Sequence, residues 1–95
     1  MLTITYPPAN STLPGGVFNI EGTCSANHWV TVRLTHTGSH VFQEHSMQAA
    51  LGAWSYPFAA MGEGAHTITA TCEGLNESIS IGLNLLSSAG APGGP

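Results

Sequence analysis

The segment Gly52–Gly74, GAWSYPFAAMGEGAHTITATCEG, decides the fold class. Trp54, Tyr56 and Phe58 alternate with small or polar residues, which is the period of a strand with one buried face. Gly62-Glu63-Gly64 is turn chemistry. His66, Ile68, Ala70 and Cys72 then alternate with Thr67, Thr69 and Thr71. Two half-buried strands joined by a turn are expected, with Pro57 placing the first at a sheet edge or bulge.

Working outward, the same period recurs. Leu2, Ile4 and Tyr6 alternate with threonines until Pro7-Pro8 stops the run. Asn10-Ser11-Thr12 and Pro14-Gly15-Gly16 read as turns. Phe18, Ile20, Gly22 and Cys24 form a second inward set, and Val30, Val32 and Leu34 a third. His40 to Met47 reads as a strand whose inward face is ambiguous, and Gln48 to Leu51 as a short helical turn at most. Ile79, Ile81, Leu83 and Leu85 close the series. About seven strands at intervals of roughly 8–12 residues predict an all-β sandwich or small barrel. The expected domain is residues 1–86, followed by a flexible Gly/Pro-rich tail over 87–95. The two Gly-X-Y triplets in that tail are too few to hold a collagen helix.

Composition narrows the function. The 95 residues hold one arginine, no lysine, no aspartate and five glutamates, for a net charge of -4. One cation cannot neutralise a run of phosphates, so nucleic-acid binding is not expected. A polybasic membrane anchor is excluded on the same ground, and no apolar run reaches bilayer length. Ten threonines, two tryptophans and three phenylalanines argue against disorder. The surface is expected to be hydroxyl-rich and charge-poor. That suits lateral packing in a crowded assembly better than electrostatic steering.

Five histidines (His28, His36, His40, His45, His66) match no zinc spacing. No metal site and no cofactor is expected. No G-x-S-x-G elbow occurs. Glu63, Glu73 and Glu77 fall at turns, and Glu21 points outward from a strand, so paired-carboxylate chemistry is not expected. No catalytic residue is assigned. His66 is expected to cap a strand corner with a hydrogen bond. Trp29 is out of phase with Val30 and is expected to cap the top of the core. An exposed Trp29 would be a stacking or anchoring residue for a sugar or protein. Asn10-Ser11-Thr12 and Asn76-Glu77-Ser78 are acceptor sequons that matter only in a eukaryotic secretory pathway.

ITYPPANST, VFNIEGTC, WVTVRL and the Gly52–Gly74 segment together resemble bacterial immunoglobulin-like (Ig-like) domains. Such domains occur in surface adhesins and in decoration or tail proteins of phage virions. The resemblance covers about residues 2–86 and implies an Ig-like antiparallel β-sandwich with no active site. In that topology the strands ending at Cys24 and Cys72 lie in opposite sheets and run the same way. A Cys24–Cys72 disulfide is therefore implied, the alternative being two buried thiols. Cysteines at these positions are not typical of the bacterial modules.

The implied role is that of a multi-copy virion protein contacting capsid or tail subunits. The alternative is a module of a secreted adhesin binding glycan or protein. Met1 is followed by LTITY without a signal-like leader. A native Met1 fits synthesis in the host cytoplasm and release in a virion; an added one fits a module cut from an extracellular protein. Leu2, Ile4 and Trp29 are the expected partner contacts, the first two because they lie in a terminal strand near a sheet edge.

Overall fold

A computed structural model describes residues 1–59 and 62–86. The expected tail, 87–95, lies outside the described residues. Eight strands run in chain order: β1 (Thr3–Tyr6), β2 (Thr12–Leu13), β3 (Val17–Thr23), β4 (Trp29–His36), β5 (Phe42–Gln48), β6 (Ala53–Ala59), β7 (Gly64–Cys72) and β8 (Glu77–Leu85). They form a three-stranded sheet, β1-β3-β6, and a five-stranded sheet, β2-β8-β7-β4-β5. The all-β sandwich follows directly. The expected count of seven falls short by β2, a two-residue strand that pairs parallel to β8 through Thr12–Asn84 and Leu13–Leu85. Turn residues on both sides of Thr12–Leu13 hide so short a strand from any periodicity. The Gln48–Leu51 segment forms no helix; Ala50 bridges to Ala53 instead.

Inward-facing residues of both sheets fill the core. Ile20, Trp54 and Phe58 come from the smaller sheet; Val30, Val32, Leu34, Ile68, Ala70, Leu83 and Leu85 come from the larger. β7 is central in its sheet and sheds four apolar or aromatic side chains into this core on alternate positions, as its sequence requires. β6 is an edge strand, so Pro57 removes no hydrogen bond from the β3 ladder.

Cys24 directly follows β3 and Cys72 ends β7. They are bonded to each other across the sheets, with Cα atoms 6.9 Å apart. Trp29 does not cap the core. It heads β4 on the outer face of the five-stranded sheet and is 51% exposed, because Val30 takes the inward phase.

Candidate functional site

The outer face of the five-stranded sheet follows from the registers of four adjacent strands. One row reads Ser80, Thr69, Arg33, Glu44; the next reads Ser78, Thr71, Thr31, Ser46. Period two puts every Thr of ATAT and TVRLT outward once the isoleucine, valines and leucine turn inward. The hydroxyls bond across strands: Thr69 to Ser80 at 3.0 Å and Thr31 to Ser46 at 2.9 Å. Thr31 also donates to the Glu73 carboxylate at 2.6 Å. The rows around Thr31, Arg33, Thr35, Glu44, Thr69 and Thr71 line a shallow depression of about 320 Å³.

Arg33, the single cation besides the amino terminus, is already engaged. Its Nε and Nη2 donate to one Glu44 carboxylate oxygen at 3.1 and 2.9 Å, and its guanidinium lies 4.1 Å from the centre of the Phe42 ring. Arg33 and Glu44 thus cancel, and the rest of the face is hydroxyls with the Glu73 carboxylate beside Thr31. Trp29 stands at one end of it, beside Gln48. Phe42, half exposed, stands toward the other.

The expected contact residues separate. Leu2 is only 7% exposed and belongs to the core; its amide donates to the Glu77 carboxylate at 3.0 Å. A partner contact through the Leu2 side chain is thus corrected by its burial. Ile4 packs against the same core and is partly buried, on a strand that does lie at a sheet edge. Trp29 alone of the three presents a largely free side chain.

Four of the five histidines are held by neighbours. His36 and His66 meet at one end of the core, ring centroids 4.9 Å apart and planes at 77°. His36 Nδ1 accepts from the Ser39 amide at 3.0 Å, which puts its proton on Nε2, donated to the Glu63 carbonyl at 3.0 Å. His66 Nδ1 donates to the Gly64 carbonyl two residues upstream, also at 3.0 Å. Its Nε2 is buried without a partner. Burial holds the His66 pKa below its ordinary value, and the neighbouring His36 pushes the same way; the Gly64 hydrogen bond opposes them. His45 stacks on Tyr56 at 4.3 Å and meets Phe58 edge-on. His28 Nδ1 lies 3.3 Å from the Ala26 carbonyl oxygen.

Cys24, Cys72 and Glu77 have ligand atoms within 4.8 Å of one another. The sulfurs are bonded to each other and Glu77 accepts from Leu2, so the group offers no thiolate to a metal. Sequence reasoning missed the partnership of His36 with His66. Its only signal was that both fall on inward phases at neighbouring strand ends.

Comparison with known proteins defines a class and nothing narrower. No protein-family model matches the chain, and no curated protein matches it. Among solved structures, the crystal structure of an engineered protein superposes with a TM-score of 0.72 over 90% of this chain, at 14% identity. The chain spans about a fifth (20%) of that protein's length. At such identity the likeness shows the fold: an all-β, two-sheet arrangement. Among the described residues no helix is long and apolar enough to cross a membrane.

Proposed function

We propose that the chain is an Ig-like sandwich acting as a non-enzymatic structural subunit of a phage particle. It is present in many copies and contacts capsid or tail proteins. The strand order supports the Ig-like reading: β1-β3-β6 against β2-β8-β7-β4-β5 corresponds to an A-B-E sheet facing an A′-G-F-C-C′ sheet. The observation that carries the functional reading is the outer face of the larger sheet. Its cation is neutralised in place by Glu44, and cross-strand hydroxyl pairs surround it, with the Glu73 carboxylate held by Thr31. Such a face binds by fit and short-range hydrogen bonds, the mode of a crowded protein lattice. The contacts that occupy Glu44, Glu73, Glu77, His36 and His66 support the non-enzymatic part.

Two observations favour a second reading. The same fold occupies a fifth of a longer chain in the engineered protein, and Trp29 is open for stacking on a sugar. A module of an extracellular adhesin fits both facts.

Antibody raised against the purified chain separates the two readings. Labelling of phage particles from the culture that carries the gene, with the cell envelope unlabelled, is the expected result. Labelling confined to the cell surface or the secreted fraction would replace the virion reading with the adhesin one.

A further inference from the structure

An unpaired strand edge is a template for another strand, and proteins ordinarily blunt it with proline, lysine, bulges or shortness. The two sheets have four edges. β1 is four residues long with a register shift between Ile4 and Tyr6. β2 is two residues long and is followed by Pro14. β6 carries Pro57, and its last residue is clamped: Gln43 Nε2 donates to the Ala59 carbonyl while the Ala59 amide donates to Gln43 Oε1. β5 has none of these devices, and its one charge, Glu44, is already paired with Arg33. It is seven residues long, FQEHSMQ, without proline, glycine or lysine.

Hydrogen-bond parity shows what β5 offers. Bonded and non-bonded pairs alternate along an antiparallel ladder. The His36 amide donates to the Val41 carbonyl and the Ala49 amide to the His28 carbonyl. Given the β4–β5 register, the main-chain groups of Gln43, His45 and Met47 face β4. Those of Phe42, Glu44, Ser46 and Gln48 face away, and no strand among the described residues pairs with them.

We propose that the free edge of β5 pairs antiparallel with β5 of a second copy of this chain, about a two-fold axis at His45. The two five-stranded sheets then become one of ten. In this register Phe42 faces Gln48 of the second copy and Glu44 faces its Ser46. All four outward residues meet outward residues, so their N–H and C=O groups are satisfied in pairs. Its two neighbours are poorer: centring the pair on Glu44 would set two carboxylates directly opposite, which is unfavourable, and centring it on Ser46 would leave Phe42 outside the ladder. The Arg33–Glu44 pair and the hydroxyl rows would run on across the junction. The pairing stands on the edge geometry whether the larger structure is a virion or an adhesin.

Sedimentation equilibrium on the full oxidised chain, with amide exchange by NMR, tests it. Dimers are expected to form with rising concentration. Exchange should then slow at Phe42, Glu44, Ser46 and Gln48, while His45 and Met47 are slow at every concentration. S46E sets a new carboxylate against Glu44 of the second copy and should weaken association about tenfold; S46K should strengthen it by a similar factor. S46P removes an outward amide that β4 does not use, and should abolish the dimer. Circular dichroism on each variant verifies that the sandwich is intact, and S46E and S46K carry the test if S46P does not fold. A chain that stays monomeric, or a dimer indifferent to these substitutions, would overturn the proposal.

Discussion

The indole of Trp54 occupies the space where a side chain on Gly22 would stand. The two residues are cross-strand partners in β6 and β3. A Cβ on Gly22 would fall on the Trp54 ring and on the Thr3 carbonyl oxygen. Trp54 Nε1 donates to the Thr23 carbonyl at 3.1 Å, which fixes the ring over the glycine. Backbone carbonyls cannot retreat as a flexible side chain can. G22A is therefore expected to cost about 3 kcal/mol, at the upper end for overpacking. Urea unfolding followed by tryptophan fluorescence checks this.

The Cys24–Cys72 bond joins residues 48 apart in sequence at one end of both sheets. Loop-closure entropy makes a cross-link of this span worth about 4 kcal/mol in the chain-entropy treatment. C72A should lower the unfolding free energy by about 2–5 kcal/mol. Mass measurement after thiol blocking of the untreated chain should find no alkylated cysteine; two alkylated thiols would refute the bond.

His66 gives stability a pH dependence of definite sign. Its folded-state pKa lies below the ordinary 6.5, chiefly through burial. The unfolded chain therefore binds the proton more readily. Stability is complete above the unfolded value and falls as pH drops through it toward the folded value. Melting temperature should be lower at pH 5 than at pH 8. In H66F, which fills the site without titrating, that difference should shrink.

Arg33 is the one side-chain cation, yet its pair with Glu44 is exposed, at 45% and 41%. Ion pairs in that setting contribute little. R33Q should change the unfolding free energy by less than about 1 kcal/mol. Thermal melts at low and high salt should differ little for either protein.

Legibility in the sequence follows burial. β3, β4, β7 and β8 have clear inward and outward sides, so alternation located them to within a residue or two. β5 was ambiguous for a physical reason: it is an edge strand whose inner side chains, Gln43, His45 and Met47, are all only half buried. Trp29 reads as a cap on the core because it is large and aromatic, but its phase against Val30 carries it to the outer face of the sheet. Leu2 reads as a contact residue from its place in a terminal strand, but the fold buries it. The hydroxyl face needed the strand order, which brings Thr69 beside Arg33 and Thr71 beside Thr31 from distant parts of the sequence. Alternation alone cannot supply that adjacency.

As the proposed particle subunit, the chain would attach through hydrogen bonds and fit rather than through free charges. Quantitative mass spectrometry of particles washed from low to high ionic strength tests this attachment most directly. Many copies per particle are expected, with a copy number that salt leaves unchanged, since screening acts on charge and the one side-chain cation is already paired with Glu44. Absence of the chain from the particles, or its steep loss with salt, would contradict it.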